Sequence, residues 1–181
     1  LMQNEKLLPK ADTLAGAYSS EKLLEEGVAI ARVVYRQVRD SAFDTITKEK
    51  VVHTKDVYGK VDRVDENDTF VRVVDYKTGS ITADAKSYYL GLKLQMELYM
   101  SAVRGDKIPA GVLYFPASVG FSDSAEGKFR MQGFLNGDRE ALLCGDRDIT
   151  EEKKSEYFPA ALKNSSVTKC VMDEETFRNF L

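Results

Sequence analysis

Two short stretches of the sequence carry acidic and basic side chains at spacings that suit phosphate chemistry. VVDYKTG, residues 73–79, places Asp75 and Lys77 two residues apart, and GKVDRVD upstream contributes Asp62. Because side chains alternate along a strand, Asp75 and Lys77 share one face with their Cα atoms about 7 Å apart. Paired aspartates supply hard oxygen ligands for Mg²⁺ or Mn²⁺, and an ion held in this way polarises a phosphoryl oxygen and lowers the pKa of bound water. Together with a lysine that orients the water or neutralises developing charge, the set suits phosphodiester hydrolysis.

Spacing alone does not single out this chemistry. The pattern Asp-x-Lys is common on strands by chance. An exposed pair of this kind is usually a solvated salt bridge that contributes at most about 1 kcal/mol. Without further information, a solvated strand face is therefore the favoured interpretation.

The surrounding sequence predicts the strands that carry these residues. The runs EKVVHT, VYGKVDRVD and FVRVVDYK are rich in β-branched and aromatic residues, and the polar turn ENDT separates the last two. Such runs read as an antiparallel meander, in which the first two strands pair around Lys55 and Asp56. We therefore expect Asp62 and Asp75 on an antiparallel pair, with both carboxylates on one face and close enough to share an ion.

Helical periodicity and further strands complete the predicted fold. A helix over residues 20–40 is capped by Ser20 and carries an apolar stripe, and a second helix covers 86–104. The first stripe consists of Leu24, Val28, Ala31, Tyr35 and Val38, and the second of Leu92, Met96, Tyr99 and Val103. Strands AGVLYF and KFRMQGFL follow, and two short helices are expected near 150–163 and 173–181. This order predicts the α/β class, with a mixed central sheet flanked by helices.

Length and composition set the class of protein. The 181 residues are 43% hydrophobic, which is enough for one globular domain with a core. There is no apolar run of about 20 residues and no signal-peptide core, so we expect a cytoplasmic protein without membrane contact. Cys144 and Cys170 lack metal-site spacing and are interpreted as ordinary thiols. The net charge of -3 provides no global basic field, so any attraction to nucleic acid must be local or come from another subunit.

Three ordered blocks, GKVDRVD, VVDYKTG and GLKLQMELY, resemble the RecB-type branch of the PD-(D/E)XK nuclease superfamily. Within that branch they are most similar to the nuclease domains of AddB and RexB, which are helicase-nuclease components. The likeness covers residues 57–136 well and the flanks loosely. It implies a restriction-endonuclease-like core, with 1–181 as a single nuclease domain, its core motifs in 57–104, and the chain a fragment of a larger protein.

The resemblance also implies roles for particular residues. Asp62 and Asp75 match the family's metal-binding carboxylates. The backbone carbonyl of Tyr76 matches a further metal ligand, and Lys77 matches the catalytic lysine. Gln95 and Tyr99, four apart on one helix face, match residues that reach the site. For Tyr99, core packing is an equally weighted alternative. Gly59 and Gly79 are expected to serve backbone shape, and Arg63 either a structural role or a phosphate contact.

The chain departs from the family pattern in two respects. The family places a His or acidic residue on an upstream helix, where this sequence offers Glu25 and Glu26 without the expected context, so the third metal ligand is unassigned. The sole histidine, His53, is interpreted as a surface imidazole. The four cysteines that bind an iron-sulfur cluster in AddB proteins are not matched. We therefore do not expect that cluster here.

The resemblance implies an Mg²⁺-dependent exodeoxyribonuclease, with Mn²⁺ as an alternative ion. It would act on DNA ends beside the helicase-nuclease A subunit, in double-strand break processing and recombinational repair. A stand-alone RecB-like exonuclease is one alternative, and helicase-like sequence upstream in the native gene would exclude it. A catalytically silent nuclease fold that braces a complex or binds DNA is another, and it would take up no metal at Asp62 and Asp75.

Overall fold

The computed structural model describes residues 14–55, 57–79, 81, 94–117, 129–162, 171–172 and 175. The chain divides into two compact units, Leu1–Arg36 and Gln37–Leu181. The helices described are α1 (Leu14–Asp40), α2 (Gln95–Val103) and α3 (Arg139–Gly145), and the strands are β1 (Thr45–His53), β2 (Tyr58–Glu66), β3 (Phe70–Lys77), β4 (Ile108–Pro116), β5 (Gln132–Asn136) and β6 (Val171–Met172). Among these residues no helix combines the length and apolarity needed to cross a membrane.

The strands form one mixed sheet in the order β1-β2-β3-β4-β5-β6. The pairs β1–β2, β2–β3 and β4–β5 are antiparallel, whereas β3–β4 and β5–β6 are parallel. Because parallel neighbours require a crossover connection, the chain between β3 and β4 includes α2. The predicted meander and the predicted α/β class with a mixed sheet are confirmed.

The core lies where α2 packs on the sheet. Val64 of β2, Val73 of β3 and Val112 of β4 join Met96 and Met100 of α2 in one buried cluster, each at most 1% exposed. Burying an aliphatic side chain of this size contributes roughly 1.5–3 kcal/mol. This packing holds β2 and β3, the two strands that carry the acidic residues, in place beneath α2.

The first helix differs from its prediction in which side is exposed. Of the predicted stripe, Leu24, Val28 and Tyr35 are exposed. The opposite side of α1 is also apolar and includes Ile30 and Val33, both half-buried. The apolar periodicity of α1 is therefore compatible with two stripes, and the predicted stripe is the more exposed of the two.

The region after β5 contradicts one prediction and adds an element that was not predicted. Residues 150–162 form bends and irregular backbone instead of the predicted helix. The Arg130 guanidinium donates to the backbone oxygens of Ser155 and Phe158, at 2.8 and 2.9 Å, and this non-helical backbone leaves its carbonyls free for a side-chain donor. Upstream, Asp138 caps α3 by accepting from the backbone N–H groups of Glu140 and Ala141.

Two further predictions fall largely outside the described residues. Residues 86–93 of the second predicted helix, including Leu92, lie outside them, and within them the helix begins at Gln95. Of the predicted helix at 173–181, only Glu175 is described, and it is helical.

Candidate metal-binding and catalytic site

The candidate site lies where the pairing of β2 and β3 ends. Their antiparallel ladder runs from Glu66↔Val71 to Arg63↔Val74, one position short of Asp62 and Asp75. Beyond it the Asp62 carboxylate accepts a hydrogen bond of 3.0 Å from the backbone N–H of Tyr76. The antiparallel pairing is confirmed, and continuing its register brings the two aspartates opposite each other. That their carboxylates share one face stays a prediction.

Lys77 interacts electrostatically with both aspartates. Its Nζ lies 2.7 Å from Asp75 Oδ2, with the Asp75 side chain 11% and the Lys77 side chain 41% exposed. The hydrogen bond with Asp75 is the main cause that raises the pKa of Lys77 above its ordinary value, and the charge of Asp62 contributes in the same direction. Both carboxylates therefore act on one ammonium group at the end of β3.

Beneath this site a buried charge network braces the same two strands. Asp65 is fully buried and accepts two hydrogen bonds from Arg63, at 2.6 and 2.8 Å, and two from Arg72, at 3.0 and 2.6 Å. Burial lowers the pKa of Arg72. Burial also acts to lower the pKa of Arg63, but the charge of Asp65, the hydrogen bonds to it and the contributions of Tyr76 together outweigh burial, so that the pKa of Arg63 is raised. A buried carboxylate with this many charge-assisted donors ties β2 to β3.

Arg63 also reaches the site strand. Its Nη1 lies 3.5 Å from the hydroxyl of Tyr76, whose ring packs against Phe115 at 5.2 Å between centroids. Arg63 is 1% exposed, so the geometry favours the structural role over the phosphate contact that the sequence left open. Arg63 thus contacts the side chain of Tyr76, whose backbone N–H donates to Asp62.

Gln95 and Tyr99 contact each other at the β2 side of α2. The Gln95 Nε2 donates to the Tyr99 hydroxyl at 3.2 Å, and Tyr99 is half-buried against the core cluster. A Cβ added at Gly59 would lie 2.7 Å from that hydroxyl, so Gly59 serves the close approach of Tyr99. A Cβ added at Gly79 would have no neighbouring atom within 4 Å. The pair thus sits beside β2, three residues upstream of Asp62, and in the described residues no hydrogen bond joins it to Asp62, Asp75 or Lys77.

The donor set fits a divalent ion in part. Asp62 and Asp75 offer carboxylate oxygens, the ligand type that Mg²⁺ prefers, usually with one or two carboxylates and retained waters. No third His, Cys, Asp or Glu completes a metal-binding group in the part of the chain that the structure describes. Glu25 and Glu26 lie on α1 within Leu1–Arg36, and His53 is exposed on β1.

Glu97 is a buried acid that the sequence did not single out. It lies in the first turn of α2 and is 5% exposed, and among the residues that the structure describes no other residue donates a hydrogen bond to its carboxyl oxygens. Burial raises its pKa from 4.5 to about 7. Its position between Gln95 and Tyr99 gave no signal, because a Glu in a first helical turn is usually solvated and favourable there.

We expect Glu97→Gln to stabilise the protein in a pH-dependent way. Since the folded pKa of Glu97 lies above the unfolded value, ionisation in the folded state is penalised as pH rises from about 4.5 to 7. The gain should be near zero below that window and reach about 3 kcal/mol above it, from a shift of 7 minus 4.5. Urea denaturation of both proteins from pH 4.5 to 8 measures it. A gain that does not change with pH would contradict the burial of an ionisable Glu97.

Comparison with known proteins agrees with these features. The profile of the PD-(D/E)XK nuclease superfamily matches residues 2–170. The chain is similar to the B subunit of the ATP-dependent helicase/deoxyribonuclease in Bacillus cereus (strain AH187), Bacillus anthracis and Bacillus thuringiensis (strain Al Hakam). Each is 32% identical over 151 residues, which covers 67% of this chain and 13% of the relative. The chain therefore spans about an eighth of the length of these relatives.

Proposed function

Because the chain belongs to the PD-(D/E)XK nuclease superfamily, we propose that it is a nuclease domain that hydrolyses DNA phosphodiester bonds with Mg²⁺ or Mn²⁺. The convergence of Asp62, Asp75 and Lys77 where β2 and β3 stop pairing carries the proposal. Two carboxylates that can hold a divalent ion, with an amine beside them, are groups that suit this hydrolysis.

Each residue has a distinct role in this proposal. Asp62 and Asp75 hold the ion, with the Tyr76 carbonyl as a further ligand; when bound, the ion polarises a phosphoryl oxygen and lowers the pKa of water. Lys77 provides positive charge beside Asp75, where it stabilises negative charge that develops on the phosphate. The Tyr76 N–H orients the Asp62 carboxylate. Tyr99 acts as a positioning residue through its close approach to β2 at Gly59, and Gln95 through its hydrogen bond to the Tyr99 hydroxyl.

The relatives support a more specific setting. They are named as components of an ATP-dependent helicase/deoxyribonuclease, and we infer that this domain degrades DNA from its ends as part of such a complex, in double-strand break processing and recombination. The net charge of -3 supports this setting, because phosphate contacts supply most non-specific DNA affinity. The main grip on DNA then comes from a helicase partner or from further parts of the polypeptide.

The isolated 181-residue chain should therefore show metal binding but little cleavage. We expect weak uptake of Mn²⁺ in calorimetry, lost in Asp75→Asn, and slow degradation of end-labelled linear DNA at about 0.15 M salt, where surface charges are screened beyond roughly 8 Å. Cleavage should rise in the intact helicase-nuclease and stop on addition of EDTA.

Two other outcomes would replace this proposal. Rapid Mn²⁺-dependent degradation of linear DNA by the isolated chain would favour a stand-alone exonuclease. A silent scaffold would be favoured by two results together: the chain takes up no metal, and the intact complex cleaves equally well when Asp62 and Asp75 are substituted.

A further inference from the structure

Tyr114 lies opposite Asp75 in the central sheet. The parallel register of β3 and β4 pairs these two residues, and Tyr114 belongs to the core cluster that packs under α2. Tyr114 is 8% exposed, and β5 pairs with it from the other side through Gln132. Side chains in a packed interior occupy defined rotamers. The ring of Tyr114 is therefore held in a fixed position beside the candidate site.

The ammonium group of Lys77 lies over this ring. Its Nζ is 5.7 Å from the centroid of the Tyr114 ring and 2.7 Å from Asp75 Oδ2. An ammonium within about 6 Å of a ring centroid is attracted by the negative face of the ring. Lys77 therefore has two contacts of different kinds, one with a carboxylate and one with an aromatic ring.

The contact with the carboxylate is a weak restraint by itself. The side chain of Lys77 is 41% exposed, so its ion pair with Asp75 is partly solvated and contributes little. A lysine side chain also loses much rotamer freedom when it is held in one orientation. Because the ring of Tyr114 is already immobile, it adds an attraction for the ammonium at a fixed place.

The two contacts differ in how they respond when Asp75 binds an ion. In the proposed function Asp75 is a metal ligand, so its negative charge is shared between the ion and Lys77. The positive charge of the ion also repels the ammonium. The ring of Tyr114 is not among the proposed ligands. Its attraction for Lys77 therefore persists when that of Asp75 is reduced.

We propose that Tyr114 is a positioning residue for Lys77, whose ammonium its ring face keeps beside Asp75 while that carboxylate holds the ion. The inference rests on the proposed function, in which Lys77 stabilises negative charge that develops on the phosphate. It adds to the site a residue of β4, whereas the other site residues lie on β2, β3 and α2. Packing in the core would require only the shape of the ring, but this role requires its charge distribution.

Nuclear magnetic resonance of Lys77 in the metal-free 181-residue chain tests the contact without cleavage. The ring current of an aromatic side chain moves the signals of protons above its face upfield. The ε-methylene signal of Lys77, identified by its absence in Lys77→Arg, should lie upfield of the signals of solvated lysines. It should move to their position in Tyr114→Leu and stay upfield in Tyr114→Phe.

Val112→Ala is the matched control for these spectra. Val112 is buried in the same core cluster, two residues before Tyr114 on β4. Its truncation disturbs packing without removing the ring, so the Lys77 signal should stay in place.

A phenylalanine with a fluorinated ring in place of Tyr114 separates charge from shape. Fluorine atoms withdraw electron density from the ring face and change its volume little, so packing is retained while the attraction for a cation is lost. Relative to Tyr114→Phe, the fluorinated ring should shift the Lys77 signal toward that of solvated lysines. It should also lower kcat for DNA cleavage by the intact protein roughly 2- to 30-fold with KM unchanged. Both variants should unfold at the same urea concentration.

Three results would each overturn the inference: a Lys77 signal that does not change in Tyr114→Leu, an equal change in Val112→Ala, or no response of the signal and of kcat to fluorination. Because the fluorinated ring keeps the shape of phenylalanine, its comparison with Tyr114→Phe supports or overturns the inference even if Tyr114→Leu does not fold.

Failure of the inference and failure of the proposed function are separable. If fluorination has no effect while Asp75→Asn abolishes cleavage by the intact protein, the role of Tyr114 is refuted and the nuclease stands. If the Lys77 signal responds to the ring as expected while Asp75→Asn cleaves normally, the contact between Tyr114 and Lys77 stands and the nuclease site is refuted.

Discussion

Asp75→Asn in the intact protein should lower metal-dependent DNA cleavage by at least about 100-fold, the usual effect of removing one group that stabilises charge in a transition state. The free energy of unfolding should fall by about 1 kcal/mol or less. Asp75 pairs with Lys77, whose side chain is 41% exposed and stays solvated when its partner is lost. End-labelled DNA assays and urea denaturation provide the two measurements. Lys77→Ala should show the same separation.

Val73→Ala is the matched control on the same strand. Val73 is fully buried in the core cluster, two residues before Asp75, and its truncation leaves a cavity. We expect a loss of roughly 2 kcal/mol in stability with cleavage retained at temperatures where the protein is folded. If Asp75→Asn instead unfolds the protein as Val73→Ala does, Asp75 is a structural residue and the site assignment falls.

The second large effect is expected at Asp65. Asp65→Ala leaves the guanidinium groups of Arg63 and Arg72 buried, each 1% exposed, without their shared carboxylate. Breaking a buried ion pair by removal of one partner typically costs about 3–5 kcal/mol. Urea denaturation should show a loss of this size, and cleavage should decline with the folded fraction.

Glu66→Ala is the control for Asp65→Ala, because it removes a carboxylate at the next residue that is paired with a lysine but only partly buried. Glu66 pairs with Lys107 at 3.0 Å, but their side chains are 20% and 31% exposed. A partly solvated pair contributes up to about 1 kcal/mol. Equal losses for Asp65→Ala and Glu66→Ala would show that the buried network does not brace β2 and β3.

The two aspartates of GKVDRVD show what local sequence leaves open. Both belong to one strand, and the local pattern does not indicate that Asp65 binds two arginines while Asp62 lies where the pairing of β2 with β3 ends. Arg72 comes from the next strand, so the partner of Asp65 is chosen by register. Likewise, the burial of Glu97 depends on how α2 packs, which its helical position does not encode.

The strand meander, the mixed α/β class and the antiparallel pairing of the strands that carry Asp62 and Asp75 can be predicted from local sequence, because alternation and turn residues act over a few neighbouring positions. Contacts between distant parts of the chain decide which apolar side of α1 is the less exposed, that residues 150–162 are not helical, and that Tyr58 is exposed. Arg130 reaches the carbonyls of Ser155 and Phe158 from 25 and 28 residues away. Interactions at such separations depend on chain closure and packing, which no local periodicity contains.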